Sequence, residues 1–444
     1  MIGNVNESET KSLHCTNSSQ LEISPGRDKL LSSILIVGCG RSGTTAVMNL
    51  LATDPCVAFD REYPFENRHL SYYAKLALIL ENRIPDERFT QNNLFPFEES
   101  IFGPRPWNGH NTGGQTDWLK IFWTVFSSEV EKSKPAARFY AEKAPHWLPA
   151  TARRVVPCST IYLFRDPRDI FISSNAFIKA RNHYSFGRSP SDTDVDHARD
   201  IAVHFSAFFE NFRHDRQRND CFLLRYEDLA VRPEELIGWL RRNGLDPRPE
   251  DAFEYFDVHR TSSTLTNSVE RWRREGIPAE VNGFFERHLG SELQALGYPV
   301  ETAGSCLSVD FTADTLAPEL TNAHGRIERN EEELTVHLNG GDFGFFLPLE
   351  PVCAEEVHEI WVSAAGCVGD HFSIYWRSPG TDFSEERCIH MNYVPGLHWH
   401  LLLFPMCRHP LWKGRIEQIR LDVFNARQGS VEGRGHIRWV RLIG

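Results

Sequence analysis

Apolar residues follow two different rhythms along this 444-residue chain. Up to about residue 300, short continuous apolar runs alternate with stretches of helical spacing. Ile34–Val37 is a β-branched run; a glycine-rich turn follows, and then TTAVMNLLA repeats its apolar positions at the helical period. Further strands are predicted at CVAFD (56–60), FYAEK (139–143), Thr160–Phe164 and Cys221–Leu224, and helices at Pro167–Ala180, 197–217 and Arg232–Asn243. Strands alternating with helices predict an α/β domain with a parallel sheet covered on both faces. Beyond Pro299 the period shortens to two. ELTVHL, FGFFLPL, EIWVSAA, HFSIYWR, HWHLLLF, IEQIRLDVF and HIRWVRLI are separated by Gly, Pro, Asn and Asp. That pattern predicts an all-β sandwich of the jelly-roll kind. The chain therefore divides into a polar arm at 1–30, an α/β domain at 31–300 and a β-sandwich domain at 301–444. Residues 81–135, rich in Pro, Asn, Trp and Phe, fit neither rhythm and read as an insertion over the site.

Charge narrows the ligand class. The formal net charge is -12, which excludes a nucleic-acid surface spread over the molecule and makes any anion site local. No lysine lies between Lys179 and Lys413, so arginine carries the positive charge there. No apolar run approaches the ~18 residues of a membrane span. The opening MIGNVNESETKSLHC has no apolar core of a secretory signal, so a cytoplasmic location is expected. The 10 cysteines stand singly without a CxxC pair, as buried, reduced thiols would.

The strongest chemical signal is Gly38-Cys-Gly-Arg-Ser-Gly-Thr-Thr45, between the first strand and its helix. Small residues let successive N–H groups converge on an anion at the positive end of a helix. The glycine spacing is that of a P-loop, but Thr44 stands where a nucleotide triphosphatase has its lysine, and the loop's cation is Arg41. A second signal is Arg165-Asp-Pro-Arg-Asp-Ile-Phe-Ile-Ser173. Arg165 ends a strand, where open α/β sheets bind ligands, and Ser173 lies about two turns into the next helix. LLRYEDL at 223–229 and the segment from Thr261 to Arg273, ending in ERWR, complete the set.

Together these four segments resemble the sulfotransferases that use 3′-phosphoadenylyl sulfate (PAPS), in the family's order over about residues 34–275. The resemblance implies a P-loop-like domain with PAPS as donor co-substrate and no metal. Gly40, Arg41, Ser42, Gly43, Thr44 and Thr45 would hold the 5′-phosphosulfate. Arg165 and Ser173 would hold the 3′-phosphate, Tyr226 would lie near the adenine, and Arg271, Trp272 and Arg273 would close over the nucleotide. Arg41 would stabilise the leaving group. The base stays open between two residues. Glu62, in Arg61-Glu-Tyr-Pro-Phe-Glu66, is similar to the proposed base of glycan sulfotransferases. His146, in Glu142-Lys-Ala-Pro-His146, lies one position from a base histidine of small-molecule members, and Lys143 of that segment would orient the sulfonate. The implied acceptor is a hydroxyl or amine of a carbohydrate or small molecule. A P-loop kinase and a non-catalytic glycan-binding protein are the rival readings.

The β-domain is similar to jelly-roll modules attached to bacterial glycan enzymes. Its tryptophans at 361, 376, 399, 412 and 439 would either stack on sugars or fill the core. His398 and His400, two apart on one strand, have no third ligand nearby in sequence, and no metal site is expected.

Overall fold

The structure is a computed structural model and describes residues 30–60, 65–80, 118–252, 261, 264–301, 307–311, 318–340, 342–393, 395–426 and 431–444. Arg61 and Glu62, nearly all of the arm expected at 1–30 and most of the insertion expected at 81–135 lie outside those residues. In the α/β region the strands are β1 (Ser32–Val37), β2 (Val57–Ala58), β3 (Phe139–Ala144), β4 (Cys158–Phe164) and β5 (Cys221–Arg225). They form a parallel sheet in the order β2-β3-β1-β4-β5. The helices are α1 (Thr44–Ala52), α2 (His69–Leu80), α3 (Trp118–Ser133), α4 (Leu148–Ala152), α5 (Pro167–Arg181), α6 (Asp194–Asp215), α7 (Tyr226–Val231), α8 (Glu234–Arg242), α9 (Pro249–Ala252), α10 (Arg271–Glu275) and α11 (Ala279–Ala295).

Both faces of the sheet are buried, which is why its strands read as unbroken apolar runs. Ile34 and Ile36 of β1, with Ile161 and Leu163 of β4, face a core built with α1 and α8. Leu35, Val37, Tyr162 and Phe164 face the opposite core, with α2 to α6 and α11. Local signals set the helix starts. Asp166 caps α5 by accepting from the Arg168 amide at 3.0 Å, with Pro167 in its first turn. Thr193 and Asp196 form a capping box on α6. The helix expected at Arg232–Asn243 starts at Glu234 instead, and YEDL forms the separate short helix α7. The strand expected at CVAFD is only Val57–Ala58.

The all-β region contains β6 (Leu307–Asp310), β7 (Glu319–Leu320), β8 (Gly325–Arg329), β9 (Leu334–Asn339), β10 (Gly344–Phe346), β11 (Val352–Cys353), β12 (Glu359–Gly366), β13 (His371–Arg377), β14 (Cys388–Asn392), β15 (Gly396–Phe404), β16 (Arg415–Ile416), β17 (Gln418–Asn425) and β18 (Glu432–Ile443). Two antiparallel sheets, β14-β13-β17-β10-β7 and β15-β12-β18-β9-β8, enclose a core that includes Phe372, Ile374, Trp376, Leu421, Val362 and Val440. Trp361, Trp376, Trp399, Trp412 and Trp439 are all buried, so these side chains fill cores and are not sugar-stacking surfaces.

The second of these sheets also packs against the α/β region. Trp361, Trp439 and Ile443 join the core of α6 and α11. Arg438 pairs with Glu210, whose carboxylate also accepts from Trp439 Nε1 at 3.0 Å. Arg441 pairs with Glu292 at 2.6 Å. The Asn211 amide both donates to Trp399 O at 2.9 Å and accepts from Trp399 N at 3.0 Å. Among the described residues every cysteine is free; Cys39, Cys158 and Cys388 are buried as expected, but Cys353, Cys367 and Cys407 are exposed. Among the described residues no helix is long and apolar enough to cross a membrane.

A row of neutral histidines lines this interface. The His146 ring lies 6.0 Å from His398, which lies 3.9 Å from His400. Burial, with the nearby His204, pushes His146 down to about 4. Burial, with the nearby His146, pushes His400 down to about 3. His398 is also held well below the usual imidazole value, by burial and both neighbours. Above pH ~6.5 these rings are neutral in both states and contribute no pH dependence. Below it the unfolded chain takes up protons that the native chain refuses, so stability falls with pH by up to about 1.4 kcal/mol per pH unit for each ring. Urea unfolding between pH 5 and 7.5 should show that decline, and His146→Phe should make it shallower. An identical slope in the variant would remove His146 from the acid response.

Candidate active site

The loop after β1 turns on two left-handed residues, Arg41 at φ 66° and Gly43 at φ 102°. Space reinforces the conformational demand. A Cβ at Gly43 would lie 2.4 Å from the Tyr226 ring, one at Gly40 2.7 Å from Phe186, and one at Gly38 2.6 Å from the Leu163 carbonyl. Inside the loop the Ser42 hydroxyl donates to Cys39 O at 2.7 Å, so this residue shapes the turn. Thr44 and Thr45 open α1, where first-turn N–H groups have no intrahelical acceptor, and no side chain caps the helix. For a non-glycine residue the left-handed backbone of Arg41 costs about 1–2 kcal/mol. It aims the guanidinium over Phe177, 4.9 Å from the ring centroid, and lets Nε donate to Ser173 Oγ at 3.2 Å.

That contact joins the two motifs that head the sequence argument. Ser173 is 3.2 Å from Thr261 Oγ1, which accepts from Arg271 at 3.1 Å. Arg271 is also held by Glu275 at 2.7 and 3.0 Å. Arg165 lies behind this arc, 3% exposed. It donates to Arg41 O at 2.9 Å and Ser268 O at 2.6 Å, and its guanidinium lies 4.5 Å over the Tyr226 ring. Its Nε is buried without a hydrogen-bond partner. Among the described residues no carboxylate lies within ion-pair distance of it, although the nearby Asp169 carboxyl feels its charge.

Other expected residues fall into supporting places. Tyr226 is buried beneath Gly43 and hydrogen-bonded to Ser268, as a wedge under the loop. Trp272 is buried between Arg168 and Arg273, at 3.8 and 4.8 Å, and its amide donates to Asp169 at 2.9 Å. Arg273 points outward, toward Glu270 and Glu301. His146 packs edge-on to Phe208 at 5.5 Å, on the domain interface.

Lys143 reaches the site from β3, in register with Ile36 of β1. Its ammonium is 2.9 Å from Glu66. Burial lowers the Lys143 pKa, an effect Glu66 partly offsets. For Glu66, burial would raise the pKa, but Lys143 and Arg68 outweigh it and hold the carboxyl below the usual range. Glu66 escaped the sequence reading, although it closes the segment that carries Glu62. Phe177 and Phe186 were missed for another reason: no motif marks an aromatic pair around a loop arginine.

Residues 33–241 match the model of the sulfotransferase family, from β1 through α8. On that match the α/β part of the chain is identified as a sulfotransferase-family domain. No curated protein matches the chain by sequence. Among solved structures, the chain is similar to the sulfotransferase domain from the curacin biosynthetic pathway, with 15% identity, 62% of this chain and 100% of that one covered, and a TM-score of 0.37. Retinol dehydratase in complex with androsterone and the inactive cofactor PAP matches with 15% identity over 63% of this chain and 84% of that one, with a TM-score of 0.32. A low-affinity xylan-binding module from Roseburia intestinalis matches with 13% identity over 31% of this chain and 94% of that one, with a TM-score of 0.22.

The geometry of Gly43 yields a direct test. Gly43→Ala adds both a strained φ and a clash with Tyr226, costing about 1–3 kcal/mol. Thermal unfolding should register that loss, and the thermal shift given by adenosine 3′,5′-bisphosphate should disappear. Adding Tyr226→Ala should recover part of the shift by removing the clash. A full shift in the single variant would show that the loop tolerates a side chain there.

Proposed function

We propose that the protein transfers a sulfuryl group from PAPS to a hydroxyl, or an amine, of a carbohydrate or small-molecule acceptor. The observation that carries this reading is the 3.2 Å contact of Arg41 with Ser173. It unites a phosphate-type loop and a second anion motif at the C-terminal edge of one parallel sheet, with the partnerless Nε of Arg165 beside them. Bound PAPS would supply an electrophilic sulfur and adenosine 3′,5′-bisphosphate as leaving group. The loop amides of 40–45 and the hydroxyls of Thr44 and Thr45 would hold the 5′-phosphate. Ser173, Arg271 and Arg165 Nε would hold the 3′-phosphate.

The acceptor oxygen attacks sulfur in line, and the bond from sulfur to the 5′-phosphate oxygen breaks. Its electron pair stays on that oxygen, where Arg41 and the start of α1 offset the growing charge. Lys143 neutralises the transferring sulfonate. The acceptor proton passes to Glu62, whose segment leads directly into Glu66 and its pairing with Lys143. Products are a sulfate ester and adenosine 3′,5′-bisphosphate. His146 takes no step in this scheme, because its ring packs between Phe208 and His398 at the domain interface.

The carbohydrate class is supported by the outer face of the β14-β13-β17-β10-β7 sheet. Arg420 lies 4.0 Å over Tyr375 and 5.5 Å from Phe383, whose ring is 5.5 Å from Phe346. Asp422 adds a buried oxygen without a partner. Planar guanidinium, aromatic and carboxylate groups on one face suit a polyhydroxylated chain.

Incubation with labelled PAPS and a panel of sugars and metabolites, read by mass spectrometry, tests the reaction. Arg41→Ala should lower turnover ~100–1000-fold while the product nucleotide still stabilises the fold. Near-normal turnover would remove Arg41 from the chemistry, and absence of both transfer and nucleotide stabilisation in the native chain would remove the function. In the same assay Glu62→Gln should abolish the acidic limb of the pH profile, where activity rises as the base loses its proton. An unaltered profile would move the base to another group.

A further inference from the structure

The edge of the β-domain carries a second chemical constellation, independent of sulfuryl transfer. Cys388 and His390, two apart on the edge strand β14, project onto the outer face of their sheet opposite Tyr375 and Ser373 of β13. The turn Glu385–Arg387 folds Glu385 back over them. One ligand atom from each of Glu385, Cys388 and His390 lies within 4.8 Å of the others. Glu385 Oε2 is 3.3 Å from His390 Nε2, about the spacing of two donors bound at ~2.0–2.2 Å to one tetrahedral ion, while Cys388 Sγ is 3.7 Å from the other ring nitrogen, Nδ1. Two neighbours orient the set from behind, as outer groups do around metal ligands. Ser373 Oγ lies 2.8 Å from His390 Nδ1, and Tyr375 donates to Glu385 Oε1 at 2.7 Å.

We propose that Glu385, Cys388 and His390 form a binding site for a divalent ion of the zinc class. Thiolate, imidazole and carboxylate are zinc's preferred donors, and one thiolate with one carboxylate neutralises the ion's charge. Binding releases the Cys388 proton to solvent. The side chains of His390 and Glu385 are 50% and 75% exposed, so the ion enters from solvent and its fourth position takes water. The ion staples the free edge of β14 to the turn that precedes it. The spacing Glu-x-x-Cys-x-His matches no familiar zinc signature, which is why sequence reading passed over it. The carboxylate arrives through the turn, and only the strand's period of two brings the thiol and imidazole to one face.

Cobalt(II) titrated into the chelator-treated full chain is the test. The expected result is a near-ultraviolet thiolate-to-cobalt charge-transfer band that saturates at one equivalent and is bleached by zinc. Cys388→Ser should abolish it, although the exposed Cys353, Cys367 and Cys407 remain. Because Cys388 is buried, His390→Ala and Glu385→Gln serve as variants at exposed side chains, and each should weaken cobalt binding at least tenfold. No band in the native chain, a band that survives Cys388→Ser, or unchanged affinity in both exposed-site variants would each overturn the proposal. Sulfotransferase activity is not part of the readout, so failure here leaves that reading untouched.

Discussion

A buried guanidinium held by backbone carbonyls organises the phosphate-type loop and its neighbours. Arg165 leaves the end of β4 and spends two nitrogens on the carbonyls of Arg41 and Ser268, segments far apart in sequence. Tyr226, stacked beneath it, presses on Gly43. The phosphate-type loop, the start of α7 and the segment before α10 are therefore positioned by a single side chain. Burying a cation among dipoles without a carboxylate is unfavourable unless an anion completes it. Arg168, three residues on, shows the contrast. It is equally buried but neutralised by Asp166 at 2.7 Å and flanked by Glu286 at 3.5 Å. One arginine of RDPRD is a structural hub tying α5 to α11, and the other is held by backbone carbonyls of the loop and of the segment before α10.

The β-domain is fastened to the α/β domain. Ion pairs from β18 to α6 and α11 are desolvated, and breaking such a pair by removing one partner costs about 3–5 kcal/mol. The sheet that makes these contacts faces the α/β domain, while the sheet bearing Arg420, Tyr375 and Phe383 lies on the other side of the sandwich core. The groups on that outer face therefore point away from the α/β domain.

The hydrophobic rhythm made the strand order of elements and the change to an all-β region legible, because both-face burial and one-face burial leave different periods. The phosphate loop was legible because glycine has few substitutes at a positive φ. Side-chain fate was less so. Tyr226 and Trp272 are aromatic residues in nucleotide motifs, yet both are buried supports, and the β-domain tryptophans are core. Nothing local distinguishes an aromatic ring that packs under a loop from one that faces a ligand, since the difference is made by residues a hundred positions away. The domain interface was invisible for the same reason: Glu210, Glu292 and Arg438 look like ordinary surface charges on amphipathic elements.

The tip of β3 shows how adjacent residues divide two tasks. Strand geometry sends Glu142 and Lys143 to opposite faces. Glu142 accepts from the amides of Leu70 and Ser71 at 2.9 and 3.0 Å, and from the Ser71 hydroxyl at 2.6 Å, so it caps α2 on the face of the sheet that the helix covers. Burial pushes its carboxyl up to about 7 even against those donors. Lys143 turns the other way, to Glu66, just ahead of α2. Glu66 and the start of α2 are thus held to β3 by neighbouring residues of opposite orientation. Glu142 therefore serves the fold alone, while Lys143 is held ready by Glu66 on the face that carries the phosphate-type loop's helix.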